Sequence, residues 1–392
     1  MRRYTIYLIT CFFTIAGFTQ NGMDLVMKEV NVNNRSIQAN QKYWQAKQAE
    51  HKTNLNPVNP FVEYDYMIGS PAGAGSQRDF AITQRLDFPT VYKRRKELAS
   101  QLGVQTEFQQ QVYRQDILLE AKLSVLQIIY LNKKSAELNR RLIQTQNLVI
   151  NYQDKVEKGE VIILDLNKAR IQLLQIKNET AMNENEKQQL LTRIAALNGG
   201  ISVSVLDTVY PVISIIPDFE TLDSIIESND PILKVYEQEK QILKQKWNLQ
   251  KALNLPQIEA GYHSQGILGQ RYRGIHAGLT IPLWENKNKL NAINAILDYE
   301  TANAGAHRLT HRFENLQLYD QLEVRLNLLK EYQTLLPTLN NGFLLNKALA
   351  LGQITSLQYF YEESFYYNTY DLYLQAEWQY HQAVARLFKY EL

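Results

Sequence analysis

Between residues 90 and 158 the chain has no proline and a single glycine, Gly103. Through this stretch apolar or small residues recur at alternating steps of four and three: Ile117, Ala121, Ser124, Ile128, Leu131, Ser135, Leu138, Leu142, Thr145, Val149, Tyr152 and Val156. That spacing holds one stripe of a helix toward a partner helix, as in a coiled coil. A continuous helix of this length extends roughly 100 Å at ~1.5 Å per residue, far beyond the width of a compact domain. A second helical stretch covers residues 286–351 and is interrupted at Pro337 and at Asn340-Asn341-Gly342, where proline must kink or end it. Each stretch then meets a glycine, Gly159 or Gly352, and resumes as a returning helix over 164–197 or 357–390. The pattern predicts two antiparallel helical hairpins, each with a glycine near its turn.

Four shorter segments have a different period. Behind Pro60, Val62, Tyr64, Tyr66 and Ile68 alternate with Glu63 and Asp65; after 69–77, Phe80, Ile82, Leu86 and Phe88 alternate with Asp79, Thr83, Arg85 and Asp87. Behind Pro256, Ile258, Ala260 and Tyr262 oppose Glu259 and His263, and later Ile275, Ala277, Leu279 and Ile281 oppose His276 and Thr280. Period-two alternation predicts strands with one apolar and one polar face. Strands of roughly ten residues built this way suit a bilayer outside and water inside, and they suit a half-buried soluble sheet as well.

The same order of elements occurs twice, about 195 residues apart, which marks a tandem duplication. Asn34-Arg35-Ser36-Ile37 aligns with Asn229-Asp230-Pro231-Ile232, Pro60 with Pro256, and 159–166 with 352–359 without a gap. Polar helix-forming stretches, 24–52 and 221–253, open the two units. The expected organisation is a signal segment at 1–20, a first helix-strand-strand-helix-helix repeat at 21–198, a connector or equatorial segment at 199–217 rich in β-branched residues and prolines, and a second repeat at 218–392. Two strands per unit make four per chain. Four strands cannot close a barrel, so a membrane barrel would have to pool strands from several chains while the helical seams bury themselves between neighbours.

The N-terminus adds a destination. Met1-Arg2-Arg3 leads into an uncharged apolar run over 4–18, the pattern of a secretory signal. That run is shorter than the roughly 20 residues a spanning helix needs. The one cysteine, Cys11, falls inside it, so the mature chain is expected to lack disulfides and thiolate chemistry. Leu8-Ile9-Thr10-Cys11 loosely resembles a lipoprotein cleavage box, but Thr10 is bulky for its place and the apolar run continues past it. A net charge of +2 gives no basic field for nucleic acid. Mean hydropathy is −0.35 and no later apolar run approaches a helical span, so any membrane crossing must use strands.

Chemistry-bearing residues are sparse. His307 and His311 share a helix face at i and i+4, as a metal pair could, but no glutamate follows His307 directly, and a solvated helix face is the expected account. His263 and His276 fall on the polar face of their strands, where they would line a lumen. Glu362-Glu363 and the Glu184, Glu186 pair read as solvated charges, and no phosphate-cradling loop or serine elbow occurs. No catalytic residue, cofactor or metal site is assigned, and the chain is expected not to be an enzyme.

Lys158-Gly159-Glu160-Val161 followed by Leu164-Asp165-Leu166-Asn167-Lys168-Ala169-Arg170 resembles the first hairpin turn of the outer membrane efflux proteins, the TolC-like outer-membrane factors, and 352–359 resembles the second. The Asn34 and Asn229 helices, the proline before each strand pair, and Asp87-Phe88-Pro89 with Lys93-Arg94-Arg95 are similar to the same layout over nearly the whole mature chain. The resemblance implies a mainly α fold with a small β part: long antiparallel α-helical coiled-coil hairpins plus four strands contributed to a trimeric 12-stranded β-barrel. It implies a homotrimer in the outer membrane, in contact with its lipid and extending into the periplasm. There it would meet a periplasmic adaptor (membrane fusion) protein and an inner-membrane pump of the resistance-nodulation-division type. The implied function is a tripartite efflux channel for small solutes, metal cations or drugs, with a layout closest to the metal-cation branch. The same body would serve as the outlet of a type I protein-secretion system; a periplasmic structural coiled-coil protein would explain the helices but not the strands behind prolines. By the same resemblance, Gly159, Leu164, Gly352 and Leu357 belong to adaptor-facing turns, and Asp165, Gln358, Tyr361 and Glu362 are candidates for the tunnel aperture. The family often places acids at the positions of Gln358 and Tyr361, and this chain carries none at either.

Overall fold

The computed structural model describes residues 22–213 and 215–392; the signal segment and Cys11 lie outside the described residues. Helices α1 (Gly22–Asn33) and α2 (Arg35–His51) meet at Asn34. The Asn34 side chain accepts from the Ile37 N–H at 2.9 Å, capping α2, and its amide donates to the Leu197 carbonyl at 2.7 Å. One buried residue therefore splits the first polar stretch in two and ties it to a helix more than 160 residues later.

The chain then forms β1 (Phe61–Ile68) and β2 (Ser76–Leu86), and Pro89 opens α3 (Pro89–Glu157). Proline suits the first helical position, where its missing N–H costs nothing. With 69 residues, α3 is roughly 100 Å long, and all twelve members of the predicted seam are buried or half-buried. It turns at Gly159 into α4 (Ile163–Leu197).

The second unit repeats this with α5 (Phe219–Asn229), α6 (Pro231–Ala252), β3 (Gln257–Ile267), β4 (Gln270–Thr280) and α7 (Lys289–Leu335). Here the cap is Asp230, which accepts from the Ile232 N–H at 3.0 Å. The structural counterpart of Asn34 is thus Asp230, one residue beyond the Asn229 that the sequence alignment paired with it, because Pro231 fixes the first helical position. The chain leaves the helix around Pro337, re-forms α8 (Gly342–Ala350), turns at Gly352 and returns as α9 (Ser356–Leu387).

The four strands form one antiparallel sheet in the order β1-β2-β3-β4. The central pairing of β2 with β3 joins the two repeats in a single sheet. Midway along α3 the helices are drawn together by a core of Val30 from α1, Val125, Ile128, Ile129 and Leu131 from α3, Ile194 from α4 and Ala385 from α9. The 199–217 segment, without helix or strand among its described residues, wraps this waist: Val205 and Tyr210 join the core, and the Asn132 amide donates to the carbonyls of Val205 and Asp207, both at 3.0 Å. Gly199 begins the wrap at φ 70°, where a Cβ would come within 2.5 Å of the Asn33 carbonyl oxygen. No described helix is long and apolar enough to cross a membrane.

At the waist His381 stacks on Tyr210 with ring centroids 4.1 Å apart, and Lys133, paired with Glu377, lies over the same tyrosine. Burial, reinforced by the Lys133 charge, pushes His381 down to about 4. The unfolded chain therefore binds more protons than the folded one between that value and about 6.5, so stability is full above this window and falls as pH drops through it. His381→Phe should remove that loss, on the order of 3 kcal/mol per chain at most between pH 7 and 4. Denaturant midpoints measured at the two pH values test it: the wild-type gap should shrink in the variant.

Candidate functional site

Residues paired across strands share a face, so the register defines the two sides of the sheet. One side holds the rows Val62–Ile82–Tyr262–Ile275, Leu86–Ile258–Leu279 and Gln84–Ala260–Ala277. The other holds Glu63–Ala81–His263, Asp65–Asp79–Gln265 and Arg85–Glu259, with Phe61, Met67 and Ile267 as apolar exceptions near its margins. The alternation predicted from sequence is thus carried across all four strands in register. Glu259 bridges Arg85 at 2.7 Å and His276 at 3.3 Å on the polar side. Every residue of β1 is exposed, and so is every residue of β4 except Gly278. A half-buried soluble sheet would press its apolar side onto a core, whereas Ile275 here is 91% exposed.

At the far end of the helices, Gly159 and Gly352 adopt φ of 74° and 71°. Each closes its helix in the same way. The Gly159 and Glu160 N–H groups donate to the carbonyls of Val156 and Lys155, and those of Gly352 and Gln353 to the carbonyls of Leu349 and Ala348. This paired Schellman arrangement needs a left-handed residue, which glycine supplies without strain. The two turns lie at the same end: the Tyr152 hydroxyl donates to Ser356 Oγ at 2.7 Å, and Phe360 packs with Tyr152, Leu166 and Ala169. Around them Ile162, Leu164, Leu351 and Leu357 are exposed.

The aperture candidates are distributed over these tips. Asp165 is half-buried and paired with Lys168 at 3.3 Å on its own helix. Gln358 closes a capping box at the start of α9: its side-chain oxygen accepts from the Thr355 N–H at 2.9 Å, and the Thr355 hydroxyl oxygen accepts from the Gln358 N–H at 3.3 Å. Tyr361 is 60% exposed and meets Phe365 edge-on at 4.7 Å; Glu362 is exposed beside it. No described hydrogen bond or ion pair joins Asp165 to the three α9 positions within one chain. Glu363, by contrast, turns inward and accepts from the Tyr359 hydroxyl at 2.7 Å; burial pushes its carboxyl up, although the hydrogen bond from Tyr359 opposes the shift.

Above the tips, a polar network that the sequence reading missed fastens α9 to α3. Arg141, with a side chain only 4% exposed, donates to Glu137 at 2.7 Å, to both carboxylate oxygens of Asp371 at 3.0 and 2.8 Å, and to the Tyr367 carbonyl at 3.3 Å. Its guanidinium also lies over the Tyr367 ring, whose hydroxyl donates to Gln144 at 3.1 Å. Burial opposes the charge on Glu137, but hydrogen bonds from Arg140 and Arg141 keep its carboxyl below the usual range. The i, i+4 spacing of Glu137 and Arg141 was visible in sequence; Asp371, 230 residues away, was not.

The histidine pair is not on a solvated face. His307 stacks on Tyr236 of α6 at 4.3 Å, and His311 approaches the Asp230 carboxylate at 3.3 Å, so both serve the packing of α7 on α6. Among the described residues no group of three or more histidines, cysteines or carboxylates converges as a metal site.

No family model and no curated protein matches the chain. Its fold is that of outer-membrane channel proteins. It superposes on a membrane protein from Pseudomonas aeruginosa (TM-score 0.78, 16% identity, over 94% of this chain and 90% of that one) and on the transmembrane channel CusC (0.76, 15%, 94% and 91%). The outer membrane protein VceC from Vibrio cholerae is similar over 94% of this chain and 95% of its own (0.74, 11%). At these identities the likeness is one of fold.

Removing the guanidinium of Arg141 leaves Asp371 and part of Glu137 without a counter-charge at a buried contact, a change worth about 3 kcal/mol. Arg141→Met should lower the thermal midpoint by several degrees, and Asp371→Asn by less, since Asp371 is partly exposed. Equal midpoints for wild type and Arg141→Met would show that the network carries no such weight.

Proposed function

We propose that the chain is the outer-membrane subunit of a tripartite efflux system, acting as a homotrimer that pools twelve strands into one barrel above a periplasmic helical tunnel. The observation that carries this reading is the bare four-stranded sheet, apolar on one side and acidic on the other, standing on helices of which α3 is roughly 100 Å long. At ~3.3 Å per residue and a tilt of ~40°, strands of eleven residues rise about 25–28 Å, the height of the apolar band of such barrels. Strap residues Val212 and Ile215, almost wholly exposed, suit contact with a neighbouring protomer. The apolar tips around Gly159, Leu164, Gly352 and Leu357 suit a periplasmic adaptor, through which an inner-membrane pump of the resistance-nodulation-division type would deliver small solutes. Efflux is supported by the likeness of both turns to those of outer membrane efflux proteins. On this reading 1–20 is removed on export, and 21–198 and 218–392 are the two repeats flanking the 199–217 strap.

Purified from membranes in detergent, the protein should be a trimer by native mass spectrometry, and capture with it should recover an adaptor. A water-soluble monomer would overturn the channel, and recovery of a protein-secretion adaptor would replace efflux with secretion. Gly352→Val forces a β-branched residue into the left-handed region, at about 1–2 kcal/mol of local strain with no clash in the open space around it. It should reduce efflux while trimer yield is unchanged.

Tyr361 and Gln358 start α9, where the three-fold axis of such a trimer would gather one copy from each chain. Three like charges on a narrow ring repel by roughly 1 kcal/mol per pair at 4 Å in water, and by more where solvent is restricted. With uncharged residues at both positions, closure rests on aromatic bulk and hydrogen bonds, with Asp165 from the first hairpin and Glu362 as acidic contributors. In planar bilayers Tyr361→Ala should raise single-channel conductance. Gln358→Asp, tolerated in the first turn of a helix, should increase block by divalent cations from the periplasmic side. If neither variant changes conductance or block, the constriction lies elsewhere in the tunnel.

A further inference from the structure

Charge is segregated across the sheet. Its four carboxylates, Glu63, Asp65, Asp79 and Glu259, all lie on the polar side, whereas the apolar side carries three charged residues and each is an arginine: Arg78, Arg271 and Arg273. Arg78 and Arg271 occupy one cross-strand row with Gly266 between them, two strand spacings or about 10 Å apart, and no intervening side chain screens them from each other. Arg273 follows Arg271 on the same face, about 7 Å along β4. All three are exposed, and none has a carboxylate or hydrogen-bonding partner among the described residues. The only described aromatic contact is the Arg78 guanidinium over the Tyr66 ring at 5.6 Å.

Their height on the sheet is equally selective. The three arginines occupy the two four-strand rows of this side nearest the turns at 69–75 and 268–269, the end remote from the helices, with only the Ile68–Ser76 pair beyond them. Below them come the apolar rows through Ile275 and Leu279, and below those the exposed Trp284 marks the opposite margin. A charge facing lipid is costly at the midplane of a barrel and nearly free at its interface. A planar guanidinium is also the side chain best matched to phosphate oxygens.

We propose that Arg78, Arg271 and Arg273 form a binding site for the phosphorylated headgroups of outer-leaflet lipids around the barrel. The proposal rests on the barrel reading, in which the apolar side meets lipid and the turns face outward. Unpaired cations bordering a continuous apolar surface fit an amphiphile, with its phosphates on the arginines and its acyl chains on the rows below. Free phosphate would use only the first of these surfaces.

The test places purified trimer in phosphatidylcholine nanodiscs containing a minor fraction of diphosphoryl lipid A and measures the lipid bound per trimer by native mass spectrometry. Wild type should enrich lipid A over phosphatidylcholine, and the triple variant R78Q/R271Q/R273Q should lose that enrichment by about tenfold or more, given the pull of each basic residue on an anionic headgroup layer. The R78K/R271K/R273K variant, which keeps the charge, should retain most of it. An inserted trimer without enrichment, or a glutamine variant that enriches as well as wild type, overturns the lipid site alone. Displacement of lipid A by inorganic phosphate at constant ionic strength overturns it in favour of an ion site. A chain that stays monomeric outside the nanodisc overturns the barrel reading and the lipid site together.

Discussion

The backbone of the sheet sets the terms for the rest of the molecule. Pairing of β2 with β3 joins the two repeats and leaves β1 and β4 each with one outer edge of N–H and C=O groups that no other described strand meets. In water such an edge is a site for uncontrolled pairing, and in a bilayer each unmet group is a large cost, so strands cross membranes only in closed sheets. On the barrel reading, closure needs β4 of one chain to meet β1 of the next. Because each strand is joined through a short connection to α2, α3, α6 or α7, a ring of strands imposes a ring of helices beneath it. The long seam of α3 then has neighbours both inside its own chain and, on the ring reading, outside it.

The same order of elements occurs twice in the chain, and the two hairpins are not alike. The first hairpin has an unbroken 69-residue helix held to α4 by aliphatic packing, including Leu166 and Ala169 near its tip, and by polar contacts such as Asn183 to the Leu131 carbonyl and Arg193 to Glu120. The second is broken between α7 and α8, and its returning helix is held to α3 largely by directional polar contacts: Arg141 to Asp371, Tyr367 to Gln144, Tyr152 to Ser356. The two hairpins differ in the continuity of their outgoing helices, although their turns are closed by the same glycine geometry.

Local pattern made most of the fold legible. The four-three spacing fixed the α3 seam, since each of its members ends up buried or half-buried, and the period-two segments became strands whose apolar residues align across the whole sheet. Pro337 ended its helix as proline must. What sequence did not disclose depends on distant partners. The breaks at Asn34 and Asp230 arise because those side chains cap a following helix, and Asn34 also reaches Leu197. His307 and His311 look like a surface pair until Tyr236 and Asp230 are brought against them. At the candidate aperture, Gln358 was legible as a missing charge, but its engagement with Thr355 and the inward turn of Glu363 needed coordinates.

The surface of the single chain is itself an argument about its state. A compact monomer of 45.6 kDa exposes roughly 16,000 Å², whereas this chain exposes 25562 Å². The excess includes exposed apolar residues at three levels: the outer rows of the sheet, the strap at Val212 and Ile215, and the hairpin tips at Leu164 and Leu357. Covering exposed apolar surface is favourable by roughly 25 cal/mol for each Å², so each level is a candidate contact on the proposed reading. The three levels call for different covers. The sheet face is bordered by arginines at its turn end and by Trp284 at the other, the arrangement of a band with two interfaces. The strap lies at the waist, where the core already draws helices from both repeats together, so its outward apolar residues face where a further helix layer would pack. The tips combine exposed leucines with capped, rigid turns, and a rigid apolar projection is a surface suited to docking. On the proposed reading, lipid, sister chain and partner follow one another down the length of the molecule, each matched to a different stretch of uncovered surface.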